Sequence, residues 1–246
     1  MNAPHLDKRI ILRKNEERRI VAGHPWVFSN EIQEIKGNPA IGDVVELHAA
    51  SGLPLGIGFF NPHSLIAFRM LARTVEEVDY GFFEKRIGAA LELRRMLYPE
   101  SETFRLVHGE GDFLPGLVVD KYNEYLTLQT FSYGMDTRLP IICDVLDSLL
   151  HPKGIIERNE SSLRTLEHLD QKKGILKGTS EPTTISEHGL SYSVNLLEGQ
   201  KTGFFLDQRE NRLAIRRFAK GTRVLDCFCN DGGFALNAAY AGAASV

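Results

Sequence analysis

The residues best suited to chemistry lie near the end of the 246-residue chain, in Asp226-Cys227-Phe228-Cys229-Asn230-Asp231-Gly232-Gly233-Phe234. Arg223-Val224-Leu225-Asp226 reads as a buried strand, residues 227–233 as a small-residue loop and 234–240 as a helix. In an α/β sheet such a loop sits outside the carboxyl end of its strand, where ligands bind. Glycines let backbone approach a ligand closely, and a helix start offers unpaired N–H groups. The spacing is not Gly-x-Gly-x-x-Gly and no Lys-Ser/Thr follows, so neither a dinucleotide fingerprint nor a phosphate loop is supported. A carboxylate at the strand end, Asp226, repels a pyrophosphate and suits a cationic ligand such as an amino-acid ammonium or a sulfonium. This favours S-adenosylmethionine over NAD or ATP. The competing reading is a plain strand–turn–helix corner in which Asp226 caps the helix. Cys227 and Cys229 read as the small residues that such a loop needs, and Cys143, on the apolar side of a predicted helix, as core.

The elements that must position this loop follow from periodicity. Residues 183–187 and 190–195 predict a hairpin around His188-Gly189. Asp207 followed by Glu210 has capping-box spacing and opens a helix to about residue 219, which Lys220-Gly221 ends. Strand, glycine loop, helix and the start of a next strand make a βαβ unit. One strand, one helix and a stub cannot bury a parallel sheet, so a fragment of a longer domain is expected. Residues 1–73 read as short strands between turn residues, a small β-barrel or half-barrel with no helix of useful length. Residues 74–188 alternate: a helix over 80–98, strands over 105–108, 116–120 and 125–130, a helix over 137–150, a strand over 155–158 and a short helix over 161–169. The predicted fold class is multidomain α/β: a β-barrel over 1–73, an α+β domain over 74–188, and the start of a Rossmann-like domain over 189–246.

With 43% hydrophobic and 25% charged residues, the composition is that of a globular protein. No apolar run approaches the ~20 residues of a membrane span, and no secretory signal is seen. Three cysteines make no disulfide framework, so a cytoplasmic location is expected. Net charge is −3, unevenly spread: +2 over residues 1–73, −8 over 74–200, +5 over 201–223 and −2 over 224–246. The basic groups Lys8, Arg9, Arg13, Lys14 and Arg18 are candidate contacts to an RNA backbone, or else a solvated face. Trp26 and Phe28 are stacking or core groups, with core favoured for Trp26. No metal site is expected.

Asp226-x-Phe228-x-x-x-Gly232-Gly233-Phe234, followed by Ala238-Ala239-x-x-Gly242-Ala243, resembles motif I of class I S-adenosylmethionine-dependent methyltransferases. Gly199-Gln200-Lys201-Thr202-Gly203-Phe204-Phe205-Leu206-Asp207-Gln208-Arg209 resembles an upstream signature of large-subunit ribosomal RNA cytosine-C5 methyltransferases that carry an N-terminal PUA domain. Gly23-His24-Pro25-Trp26-Val27-Phe28 and Gly56-x-Gly58-x-x-Asn61-Pro62-x-Ser64 are similar to that family's PUA segment. Arg105-Leu106-Val107-His108-Gly109-Glu110 and Leu114-Pro115-Gly116-Leu117-Val118-Val119-Asp120 are similar to its central domain.

The resemblance implies that Phe205, Asp207 and Gln208, with Asp226, Phe228, Gly232 and Gly233, contact S-adenosylmethionine. Phe228 or Phe234 would pack on it, or fill core. Lys201 and Arg209 would meet RNA phosphate. The family's chemistry adds a cysteine thiolate to carbon 6 of cytosine so that carbon 5 accepts the methyl group. That cysteine, and the acidic residue that holds the ribose, are expected beyond Val246, so no catalytic residue is assigned here and this chain alone is expected to be inactive. The implied partner is large-subunit ribosomal RNA, with no membrane; a homodimer stays open. The rivals are a non-catalytic RNA-binding protein and, disfavoured by its missing glycine fingerprint, a Rossmann oxidoreductase.

Overall fold

The computed structural model describes residues 7–199 and 202–246. Its first unit is a six-stranded sheet built from β1 (Arg9–Leu12), β2 (Trp26–Val27), β3 (Ile32–Lys36), β4 (Val44–His48), β5 (Pro54–Phe60) and β6 (Phe68–Ala72), in the order β2-β6-β5-β4-β1-β3. Period-two alternation places Ile10 and Leu12 of β1 in the core with Val27, Val45, Leu47, Phe60 and Phe68. One short helix, α1 (Glu17–Val21), follows β1, in keeping with the expectation of no helix of useful length. Its five residues bury only Ile20, too little for a periodic signal.

The second unit begins with α2 (Tyr80–Leu97), started by Asp79, whose side chain accepts from the Phe82 amide at 3.0 Å. Next come β7 (Thr103–His108), β8 (Leu117–Tyr122), β9 (Tyr125–Thr130), α3 (Tyr133–Asp136), α4 (Leu139–Leu150), β10 (Gly154–Asn159) and β11 (Lys172–Gly178). The sheet runs β11-β10-β9-β8-β7, with α2 and α4 packed together. The predicted helix over 137–150 is formed as α4, with the short α3 as a separate turn before it, and that predicted over 161–169 is a 3-10 turn, Ser162–Glu167. Ile57, Phe59, Leu71 and Ala72 of the first unit share one core with α2, α4 and this sheet.

Buried polar groups fasten the same joint. The Glu167 carboxylate accepts from Asn61 Nδ2 at 2.9 Å, Ser64 Oγ at 2.7 Å and Arg69 Nη2 at 2.8 Å. Trp26 Nε1 donates to Glu110 Oε1 at 2.7 Å, beneath the Arg69 guanidinium. The Asn61-Pro62-x-Ser64 motif is therefore a docking element between the two units.

The last unit holds the hairpin β12 (Thr183–Glu187) and β13 (Leu190–Val194), then α5 (Arg209–Ala219) and α6 (Gly233–Tyr240). His188 and Gly189 both have positive φ, the turn that matches strand twist. A boundary at 188/189 would cut this hairpin at its turn. The expected strand over 223–226 is not formed among the described residues. One parallel bridge joins Arg223 to Ser245, and Leu225 is exposed. A fully buried parallel strand needs ladder partners on both sides, and here it has a single bridge.

Candidate functional site

The motif I loop is shaped from both of its ends. At its start, Asp226 Oδ2 accepts from the Ala235 amide, in the first turn of α6, at 3.0 Å. This is the capping role that the sequence left as an alternative. At its far end, Gly232 takes φ +70° as the residue before α6. A Cβ there would point into open space, so the backbone is bare where a ligand would pass. Phe228 and Asn230 also adopt positive φ, which curls the loop back on itself.

Facing this loop is the turn Leu206–Gln208 that precedes α5. Between them lies a cleft of about 140 Å³ lined by Phe204, Phe205, Gln208, Arg212, Asp231 and the 228–234 segment. Complete ligand sites run to ~300–1,000 Å³, so this volume suits one part of a cofactor. The structure thus brings Phe205, Gln208, Phe228 and Gly233 to one cleft, with Gly232 at the helix start beside them. Phe228 is fully exposed, which removes the core-filling reading for that ring, while Phe234 is half-buried. The carboxylate on the cleft wall is that of Asp231; Asp226 is not part of the lining and is engaged with the Ala235 amide.

Asp207 points elsewhere, into a groove with Leu93, Leu97, Phe104 and Arg105. It makes no capping box with Glu210: a 3-10 turn precedes α5, and Gln208 stands at the cap position without a capping bond from its side chain to the helix amides.

Arg212 is the cleft residue that spacing missed. Its Nε and Nη2 donate to the Glu187 carboxylate at 2.6 and 2.7 Å, and its Nη1 donates to the Phe205 carbonyl at 2.9 Å. Its guanidinium lies over the Phe204 ring, 4.5 Å from the centroid. A Cβ on Gly233 would come within 2.7 Å of Arg212 Cδ, so this residue explains the second glycine. The pairing of a carboxylate just before a hairpin turn with arginines on a later helix was the available signal, but sequence does not show which pairs meet.

The basic groups divide. Lys8 Nζ bonds Asp43 at 2.6 Å, Arg9 Nε lies 3.5 Å from Glu46, and Arg13 Nε donates to the Ile32 carbonyl at 3.2 Å. Arg13 and Lys14 are exposed beyond the end of β1. Arg209 is a correction: it is buried, faces Glu187 Oε2 at 3.5 Å and donates to the Thr103 carbonyl and Ser101 Oγ, so burial removes it from any phosphate-facing surface. Lys201 lies outside the described residues. Trp26 is half-buried at the joint between units and belongs to none of the core clusters.

Comparison with known proteins agrees with this layout. A PUA-like domain family matches residues 10–73, and an S-adenosylmethionine-dependent methyltransferase family matches residues 165–246. "Ribosomal RNA large subunit methyltransferase I" of Pseudoalteromonas translucida is 38% identical over 96% of this chain, and that of Photobacterium profundum 37% over 96%. The chain spans 61% of the length of each. Among solved structures, a Streptococcus mutans protein described as a SAM-dependent methyltransferase superposes with TM-score 0.81 at 21% identity, covering 96% of this chain and 62% of that one. A methyltransferase complexed with SAH superposes with TM-score 0.82 at 21% identity, covering 96% and 61%. With a PUA-like sheet, a central α+β unit and the glycine loop before α6 in this order, the chain is similar, over nearly its whole length and 61% of theirs, to the large-subunit ribosomal RNA methyltransferase I proteins.

Proposed function

We propose that this chain forms the RNA-presenting and cofactor-binding part of an S-adenosylmethionine-dependent methyltransferase acting on large-subunit ribosomal RNA. The observation that carries the reading is the cleft between the 206–208 turn and the 228–234 loop. Its features suit the methionine end of the cofactor: bare backbone at Gly232, the first turn of α6, apolar rings at Phe205 and Phe234, the Gln208 amide, and Asp231 as a negative wall. The cofactor, when bound, supplies an electrophilic methyl group on a sulfonium. Asp231 favours that cation and the ammonium beside it, while the Arg212 guanidinium is turned onto the Glu187 carboxylate and the Phe205 carbonyl.

On the first unit, Arg13 and Lys14, flanked by Lys8 and Arg9, give a modest positive edge suited to phosphate. The interlocked Glu167 joint holds that edge in a fixed relation to the central sheet. The finer assignment, carbon 5 of a cytosine, rests on the motif resemblance. It requires a cysteine thiolate for carbon 6 and a base for the carbon 5 proton. Cys143 does not fit that role, because burial, reinforced by Asp144 and Glu157, pushes its thiol up to about 11.

Calorimetry tests the cofactor reading. S-adenosylhomocysteine is expected to bind this protein and NAD is not; binding of NAD alone would replace the methyltransferase reading with an oxidoreductase one. RNA affinity is expected to fall with salt by a slope of roughly 0.7 per phosphate contact on single strands. A salt-independent constant would remove the basic edge from RNA binding.

A further inference from the structure

We propose that Asp120 and Tyr122, on β8 of the central sheet, are positioning residues for the methyl-donor cleft: they grip residues 202–204 and so fix the turn that carries Phe205 and Gln208. This rests on the cofactor reading above, and it assigns to the central domain a task in cofactor binding.

Asp120 is fully buried, an unusual place for a carboxylate in a sheet. Arg105 holds it from one side, with Nε and Nη2 at 2.9 and 3.1 Å. Its Oδ2 accepts from Thr202 Oγ1 at 2.6 Å. Two residues along the same strand, the Tyr122 hydroxyl accepts from the Phe204 amide at 3.1 Å and donates to the Phe204 carbonyl at 3.2 Å. Burial and the neighbouring Asp120 raise the Tyr122 ionisation well above its ordinary range, so the phenol keeps the proton it donates. Gly203, between the two grips, has φ +133°, and a Cβ there would come within 2.9 Å of Val194 Cγ1.

A buried ion pair is weak evidence for stability, since its desolvation offsets the attraction. What this one does is aim a charged acceptor at a single hydroxyl, at the far end of the chain's own fold. The residue after Phe204 is Phe205, whose carbonyl is held in turn by Arg212, and Gln208 lies one turn on. A slip at Thr202 therefore reaches the cleft wall within three residues. The contact also joins the end of the central motif to the upstream signature, two segments that sequence shows only as separate patterns.

The test uses Thr202→Val, which keeps the shape and removes the hydroxyl, Thr202→Ser, which keeps the hydroxyl, and Tyr122→Phe. Amide exchange and S-adenosylhomocysteine calorimetry are read on the 246-residue protein. Thr202→Val and Tyr122→Phe are each expected to speed exchange at Phe204, Leu206 and Gln208 roughly tenfold or more, as loss of a buried hydrogen-bond partner implies. Amides of β9 and β10 should be unchanged, affinity for S-adenosylhomocysteine should fall by a similar factor, and Thr202→Ser should restore both. Exchange at 204–208 within twofold of the parent would overturn the proposal. So would faster exchange across the whole sheet, or a serine variant that behaves like valine. If the parent protein does not bind S-adenosylhomocysteine, the cofactor reading falls, and the exchange pattern still decides whether Asp120 and Tyr122 position the turn.

Discussion

Glu187 offers the sharpest energetic test of how the cleft is held. Its carboxylate bonds Arg212 twice, at 2.6 and 2.7 Å, and faces Arg209 at 3.5 Å, with side-chain exposures of only 2%, 3% and 9% for Glu187, Arg212 and Arg209. Glu187→Gln keeps the shape but removes the carboxylate charge that faces two buried guanidiniums, and it can turn an amide NH₂ toward their donors. Breaking a buried pair by removing one partner costs about 3–5 kcal/mol, against ~5–15 kcal/mol for a whole domain. For a chain of this size that converts to a fall in melting temperature of roughly 6–20 °C. Guanidinium denaturation followed by far-UV circular dichroism, with amide exchange over α5, would measure it. The exchange gain should concentrate in α5 and the β12–β13 hairpin. A loss of less than about 1 kcal/mol, the range of an exposed ion pair, would refute the claim that this cluster organises the last unit.

Two further outcomes follow from burial and from the joint. Cys227 and Cys229 are exposed whereas the half-buried Cys143 thiol is pushed up to about 11, so at pH 8 only about one in a thousand Cys143 side chains is a thiolate. Iodoacetamide should add twice quickly and a third time slowly; three equal rates would contradict the placement of α4. The sign for stability is that the folded protein keeps this proton where the unfolded chain loses it. The contribution is therefore present below the ordinary thiol range and lost as pH rises from about 9 toward about 11. At the joint, Glu167→Ala removes the 2.8 Å partner of Arg69, leaves it Glu110 at 3.5 Å, and loosens its contact over Trp26, the one tryptophan in the chain. Its fluorescence transition should move to lower urea, and an unchanged midpoint would show that the shared apolar core alone holds the two units.

Legibility in the sequence followed local pattern. The β1, β4, β5 and hairpin segments, α2 and α6 were visible because alternation, helical spacing or turn residues marked them within a few positions. β11, Lys-Lys-Gly-Ile-Leu-Lys-Gly, was not, because an edge strand with little burial on either face carries no alternation. The strand expected over 223–226 failed for the opposite reason: its apolar run marks a segment that needs neighbours, and one bridge to Ser245 does not supply a ladder. At the cleft, Phe205, Gln208, Phe228 and Gly233 come together from two segments that the motif resemblance had marked. Arg209 was misplaced and Arg212 missed because their partner Glu187 is more than twenty residues away. No local rule decides which arginine of a basic helix turns inward.

The central claim, that the cleft between the 206–208 turn and the 228–234 loop receives the methyl donor, is tested most directly by amide chemical-shift mapping with S-adenosylhomocysteine. The account predicts the largest shifts at Phe205, Gln208, Asp231, Gly232 and Gly233, saturating together. Shifts confined to the groove beside Asp207, Leu93 and Leu97, with the glycine loop unmoved, would contradict it.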